Sequence, residues 1–313
     1  MDRNLALEFV RVTEAAAISA ALWIGRGDKH SADQAAVDAM RTRLNLISFK
    51  GTIVIGEGKK DSAPELYTGE SVGNAKTPVM DLAVDPLECT DSVANGRYNA
   101  LSVIASGPEG SLFQAPDTYM NKVAVGKDAA SVIDLDAPVE LNIKKTAKAL
   151  GKDVEELTVV VLDRERHLKL IDTIRRVGAR VRLITDGDVA GGIAPCLPES
   201  GIDMLLGIGA SAEAVLAATA IRSLGGEIQC AFAPQKESQH RELAEFGITD
   251  LKKIYRSTEL AKSQDVTFTA TGVIEGPLLK GVWFHQHGII TNSIVIRGGS
   301  RTIRYIKTFH HEN

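Results

Sequence analysis

The sequence has few cysteines, no long apolar run and no strong excess of either charge, and each absence removes a class of function. Its three cysteines, Cys89, Cys196 and Cys230, are odd in number and have no metal-ligand spacing. They suit a reducing compartment and argue against a zinc or iron–sulfur site. No apolar stretch reaches the length that spans a bilayer, so no membrane association is expected. A net charge of −4 gives no electrostatic reason to expect nucleic acid. The opening Met1-Asp2-Arg3-Asn4 leads into an amphipathic pattern with Glu8, Arg11 and Glu14 rather than a signal peptide, and the expected location is the cytoplasm. Internal repeats and low-complexity tracts are absent. Gly207-Ile208-Gly209 lacks the third glycine of a dinucleotide fingerprint, and no suitable acid ends a second strand about twenty residues on. Ser211 has no His-Asp partner set for a serine hydrolase. His285-Gln286-His287 and His310-His311 have the pattern of exposed, inert histidines, and Trp23 and Trp283 read most simply as core or interface residues.

What is present is an alternation of apolar strands and amphipathic helices. The chain of 313 residues suits one large α/β unit or two intimate domains. Leu5, Phe9, Val12, Ala16, Ala20 and Trp23 recur at helical spacing and predict a helix over 4–24. Gly25 to Lys29 breaks it. Ser31 with Gln34 reads as a capping box opening a second helix that ends near Asn45. A β-branched strand over 51–58 ends in a glycine-flanked Glu57, and 71–78 reads as a polar loop. Val79 to Val84 is a buried strand that delivers Asp85 at its end, with Pro86 starting a turn or helix. A strand over 99–105 follows, then a hairpin return over 111–117. The irregular segment 128–137 reads as a seam between an N-terminal half (1–155) and a C-terminal half (156–313). In the second half, strands over 158–163, 181–185 and 203–210 alternate with helices over 165–177 and 213–224. Further strands are expected near 228–233, 265–271, 281–286 and 292–297, with 281–297 as a hairpin.

The chemistry lies in acids at strand and helix ends: Asp33, Glu57, Asp85, Glu88, Asp186, Asp188 and Glu213. Ligands in open α/β sheets bind beyond the carboxyl ends of strands, where most of these acids fall. Asp85 and Glu88 face one small volume with the Thr90 hydroxyl, and two carboxylates that close repel unless a cation or proton sits between them. Oxygen-only ligation favours Mg²⁺ or Mn²⁺ over Zn²⁺. Because Mg²⁺ is held by few carboxylates together with substrate phosphates, the pattern suggests a multi-metal phosphoryl-transfer site. Lys29, Arg164, Arg166 and His167 are the nearby cations, and Arg164-Glu165-Arg166 at a helix start makes a phosphate cradle. Solvated helix-start charges are the simpler reading of two arginines alone.

Asp85-Pro86-Leu87-Glu88-Cys89-Thr90 after an apolar strand resembles the metal signature of the lithium-sensitive sugar- and inositol-phosphatase superfamily. Within it the chain resembles the class II (bacterial-type) fructose-1,6-bisphosphatases. Gly25 to Lys29, Val54 to Gly58, Ala115 to Met120, Leu183 to Ala190 and Ser300 to Arg304 carry that likeness along nearly the whole chain. The resemblance implies a layered α-β-α-β-α sandwich and hydrolysis of the 1-phosphate of fructose 1,6-bisphosphate, a step of gluconeogenesis. It implies two or more Mg²⁺ or Mn²⁺ ions on Asp33, Glu57, Asp85, Glu88 and Glu213. Lys29 and Asp61 are expected at the reacting phosphate, and Thr90 at the attacking water. Glu88, Cys89, Thr90, Tyr119, Arg164, Glu165, Arg166, Asp186, Gly187, Asp188 and Ala210 are expected to contact substrate. A homodimer or homotetramer is implied. The alternatives are sedoheptulose 1,7-bisphosphate or a dual substrate range, or, in another class, a catalytically weak sugar-phosphate-binding or regulatory protein. The family has Gly where this chain has Cys89, so a Cβ there is expected to crowd the phosphate or force a costly backbone conformation.

Overall fold

The computed structural model of the protein describes residues 5–58 and 65–311. Two helices, α1 (Leu5–Ala21) and α2 (Lys29–Leu44), lead into β1 (Lys50–Ile55), the two-residue β2 (Ser71–Val72) and β3 (Val79–Glu88). A short α3 (Thr90–Asn95) and β4 (Ala100–Pro108) follow. Then come β5 (Tyr119–Val125), α4 (Val139–Leu150), β6 (Thr158–Leu162), α5 (Leu168–Val177), β7 (Arg180–Ile184) and α6 (Val189–Ile193). β8 (Met204–Ala210), α7 (Ser211–Ser223), β9 (Glu227–Phe232), α8 (Glu237–Glu245), β10 (Tyr255–Arg256) and α9 (Ser257–Leu260) continue the chain. It closes with β11 (Thr267–Ile274), β12 (Trp283–His285), β13 (Gly288–Arg297) and β14 (Thr302–His311).

The strands form two mixed sheets, one in each of two units, and with their helices they make an α/β fold. One sheet has the order β12-β13-β11-β4-β3-β1-β2 with β14 on β13; the other has the order β10-β9-β5-β8-β6-β7. The chain divides into two compact units, one of residues 1–114 with 263–313 and the other of residues 115–262. The expected seam at 155/156 falls inside the second unit. The reason is β11, which returns to pair antiparallel with β4 and carries the last strands back to the first sheet.

In the first unit, Phe9, Val12, Ala16 and Ala20 of α1 and Ala36, Val37, Met40 and Leu44 of α2 pack with Phe49, Ile53, Leu82 and Ile104. Phe9 and Phe49 meet edge to face, with ring centroids 5.6 Å apart. In the second unit, Val159 and Val161 of β6, Met204 and Leu206 of β8 and Ile171 and Ile174 of α5 form a separate core. The parallel pairing of β6 with β7 and β8 matches its unbroken apolar run.

Several local readings differ from the sequence pattern. The first helix ends at Ala21, which leaves Trp23 in the following turn. Asp28, not Ser31, caps α2: its Oδ1 accepts from the Ser31 backbone N at 3.0 Å and its Oδ2 from the Ser31 hydroxyl at 2.7 Å. Segment 111–117 is no hairpin, because the strand after it, β5, joins the other sheet. β5, β14 and the short β2 are strands that apolar periodicity alone does not mark. The expected hairpin over 281–297 is present as β12–β13, with His285 opposite Gly288.

Candidate active site

The stretch from Val79 to Thr90 is built around a β-bulge. β3 does not stop at Pro86 but runs on to Glu88. Asp85 pairs with Val103 and Glu88 with Leu101, so Pro86 and Leu87 together stand opposite Ser102. Proline has no N–H to give a ladder, and a bulge is one of the few places a sheet tolerates it. The extra residue has a chemical consequence. In a regular strand, residues three apart point to opposite faces. Val103 and Leu101, two apart on β4, share a face, and the residues opposite them share it too. The bulge therefore turns Asp85 and Glu88 to the same side of the sheet. β1 is also irregular where it pairs β3, with Ile53 opposite Leu82 but Ile55 opposite Ala83.

Cys89 follows at φ +76°, ψ 52°, in the left-handed region, and caps the start of α3. Any Cβ is disfavoured there, which fits the glycine that the resembling family has at this position. The Asn99 side-chain amide donates to the Cys89 sulfur at 3.6 Å. Thr90 is the first residue of α3, and Lys29 at the start of α2 pairs with Asp91 at 3.4 Å, both side chains about half exposed.

Glu57 lies just beyond β1, between two glycines that have separate reasons to be there. A Cβ at Gly56 would run into the Leu66 carbonyl oxygen, and Gly58 sits at φ +130°. Burial and the nearby charge of Asp33 push the Glu57 carboxyl up to about 7. Asp33 is also raised, by burial, against a smaller opposing pull from His30. These carboxyls come from different elements, and each disfavours charge on the other unless a cation joins them. Asp61 lies outside the described residues. Among the described residues, no three His, Cys, Asp or Glu side chains converge closely enough to hold a metal ion by themselves.

The second unit gathers the other expected residues. Arg164 follows β6; its guanidinium donates to the Thr185 carbonyl and reaches Asp186 at 3.3 Å. The Arg166 guanidinium donates to the Ile208 carbonyl at 2.8 Å and lies 5.0 Å from the Tyr119 ring centroid, a cation–π contact. Glu165 between them is exposed. Gly187 turns at φ +51°, and Asp188 caps α6. Glu213 lies in the first turn of α7, where its Oε2 accepts from the Ala210 backbone N at 3.0 Å.

His167 does not join the phosphate cradle. It is buried, its Nδ1 is 2.8 Å from the Leu162 carbonyl, and its Nε2 accepts from the Ile208 N at 2.8 Å. Nδ1 therefore carries the proton, and burial pulls the imidazole below its usual range. The backbone of Ile208 is thus held at both its polar groups, its N–H by His167 and its carbonyl by Arg166.

Sequence reasoning gave Lys122 no role. It is buried in β5 with its Nζ 2.7 and 2.8 Å from the two Asp188 oxygens and 3.5 Å from Glu213 Oε2. The available signal was one lysine inside Met120-Asn121-Lys122-Val123-Ala124-Val125, because a charge in a buried strand needs a paired partner.

Comparison with known proteins covers nearly the whole chain. A family model described as bacterial fructose-1,6-bisphosphatase, glpX-encoded, matches residues 3–310. A fructose-1,6-bisphosphatase class 2 of Haemophilus influenzae is 44% identical over 324 aligned positions, which cover 99% of this chain and 97% of that protein. Two Synechococcus proteins, each named D-fructose 1,6-bisphosphatase class 2/sedoheptulose 1,7-bisphosphatase, are 43% identical, covering 99% of this chain and 96% of each relative.

Proposed function

The chain belongs to the bacterial fructose-1,6-bisphosphatase family, and from that premise we propose how its own residues carry the hydrolysis. It is a phosphoric monoester hydrolase that converts fructose 1,6-bisphosphate to fructose 6-phosphate and phosphate, and it depends on metal. The observation that carries the residue-level reading is the Asp33–Glu57 pair. Two carboxyls raised by burial, one of them also by the other's charge, are suited to a hard cation, which would restore both to the charged form.

Asp33, Glu57, Asp85, Glu88 and Glu213 would hold two or more Mg²⁺ or Mn²⁺ ions, completed by oxygens of the substrate phosphate. When bound, these ions supply Lewis-acid activation of water and neutralise phosphoryl charge. Thr90 would orient the attacking water for in-line displacement, with Lys29 and Asp61 at the same phosphate. Arg164, Arg166 and Tyr119 would seat the sugar and its second phosphate, aided by Asp186 and Asp188 with Cys89, Glu165, Gly187 and Ala210 alongside. Arg166 suits that task because Ile208 and Tyr119 already fix its planar fork, so little side-chain freedom is lost on binding.

Phosphate release from fructose 1,6-bisphosphate with Mn²⁺ or Mg²⁺, repeated with EDTA and with Glu57→Ala, tests the reading. Activity that survives both treatments removes it.

The names of the two Synechococcus relatives favour a second substrate, sedoheptulose 1,7-bisphosphate. A kcat/KM panel of sugar bisphosphates separates a dual enzyme from a single-substrate one. No helix among the described residues is long and apolar enough to cross a membrane. A cytoplasmic homodimer or homotetramer acting without nucleic acid or membrane is part of the proposal, checked by sedimentation and cell fractionation.

A further inference from the structure

Lys122 sits in the middle of the second sheet, on a strand flanked by β8 and β9. Its side chain is 1% exposed, and its ammonium faces two carboxylates that arrive on different helices, Asp188 capping α6 and Glu213 in the first turn of α7. The contact with Asp188 is two-pronged, at 2.7 and 2.8 Å, and that with Glu213 is 3.5 Å. β8 is shaped to admit the cluster. A Cβ at Gly209 would overlap Asp188 Oδ2 and come within 2.8 Å of Lys122 Nζ, so the backbone passes the ion pair without a side chain. The next residue, Ala210, gives its N–H to Glu213.

Stability alone does not account for this arrangement. A buried ion pair gains little over apolar residues of similar volume, because desolvation cancels most of the attraction. What the ammonium does is hold two acids side by side that would otherwise repel.

We infer that Lys122 is a positioning residue: one buried ammonium sets both Asp188 on the sugar side and Glu213 on the metal side, so their placements stand or fall together. This rests on the phosphatase reading of those two acids given above.

The test compares Lys122→Met, Lys122→Arg and Glu213→Gln with the wild-type enzyme, each first shown to be folded by circular dichroism. Mn²⁺ affinity is read by calorimetry without substrate, and fructose 6-phosphate affinity by calorimetry without metal. In Lys122→Met both affinities are expected to weaken by about ten- to hundredfold, the usual cost of losing a group that orients a ligand. Glu213→Gln is expected to weaken Mn²⁺ alone, and Lys122→Arg to recover part of both. If Lys122→Met does not fold, Lys122→Met with Asp188→Asn removes the stranded charge, and its Mn²⁺ affinity is still expected to be weak. A folded Lys122→Met, alone or with Asp188→Asn, that keeps wild-type Mn²⁺ affinity overturns the inference, and so does a folded Lys122→Met with wild-type sugar-phosphate affinity. In either case wild-type phosphate release leaves the phosphatase reading standing. Wild-type protein that releases no phosphate overturns that reading instead, and Glu213→Gln with undiminished Mn²⁺ affinity overturns the ligand assignment and the inference built on it.

Discussion

The two units solve the problem of crowded carboxylates in opposite ways. In the first, Asp33 and Glu57 are brought together with burial and mutual charge working against ionisation, and Glu57 is pushed up to about 7. In the second, Asp188 and Glu213 are brought together around the ammonium of Lys122. The second arrangement carries its own cation, and in the proposal above the first takes one from outside. The contrast teaches that crowded acids can be relieved from within as well as from outside: Lys122 grips Asp188 at 2.7 Å and stands off Glu213 at 3.5 Å, which leaves Glu213 the looser of the two acids.

The largest expected effect falls on the first arrangement. Glu57→Ala, or EDTA on the wild-type enzyme, should lower kcat/KM for fructose 1,6-bisphosphate by about a thousandfold or more, the equivalent of about 4 kcal/mol of transition-state stabilisation. Glu57→Ala with near-wild-type turnover would place the cation elsewhere.

Next comes the stability of the second arrangement. Lys122→Met strands Asp188 in the core and should reduce the unfolding free energy by about 3–5 kcal/mol. Adding Asp188→Asn should return much of the loss in urea denaturation. A Lys122→Met protein as stable as wild type would show that the core tolerates Asp188 without its partner.

The units should also respond oppositely to pH in metal-free protein. Glu57 has a folded pKa above its ordinary value, so its contribution is fully present below about 4.5 and is lost as pH rises through about 7. Saturating Mn²⁺ should remove that decline. His167 has a folded pKa below its ordinary value, so its contribution is present above about 6.5 and is lost as pH falls below that range. Thermal melts from pH 4 to 8, with and without Mn²⁺ and in Glu57→Gln and His167→Gln, resolve the two slopes. A Mn²⁺-independent decline above pH 5 in Glu57→Gln would assign the first slope to another group.

The smallest effect concerns Cys89. Cys89→Gly relieves a left-handed backbone but gives up a buried thiol, whereas Cys89→Ala gives up the thiol and keeps the strain. Glycine should therefore exceed alanine by about 1 kcal/mol in urea denaturation. A kcat raised in Cys89→Gly alone would show that the strain also reaches Thr90.

Much of this was legible in the sequence. The apolar runs of β6 and β8 and the helix α5 stand as read, because a buried parallel strand and a strongly one-sided helix leave strong local marks. Pro86 misleads because its rule against strands has an exception at bulges, and a bulge is visible only through the partner strand. β5 hides because Asn121 and Lys122 interrupt its apolar pattern, and Lys122 belongs there only once Asp188 and Glu213 arrive from α6 and α7. β14 hides because none of it is fully buried and its half-buried positions, Thr302, Ile306, Thr308 and His310, are mostly polar, whereas Ile303, Tyr305 and Phe309 are exposed. The boundary at 155/156 misleads for a similar reason: nothing local announces that β11 will return to β4.

That return has a consequence for how the protein is made. β4 leaves the ribosome as a strand destined to be buried along almost its whole length, yet the partner for one of its edges is encoded beyond Thr267. At ordinary elongation speeds the wait is on the order of ten to thirty seconds. Through that interval the nascent first unit offers an apolar, unpaired strand edge, the feature that invites pairing between chains. Ribosome stalling or truncation within the intervening segment would thus produce an aggregation-prone fragment rather than a smaller enzyme, and the last strands to be synthesised act as the seal on the first.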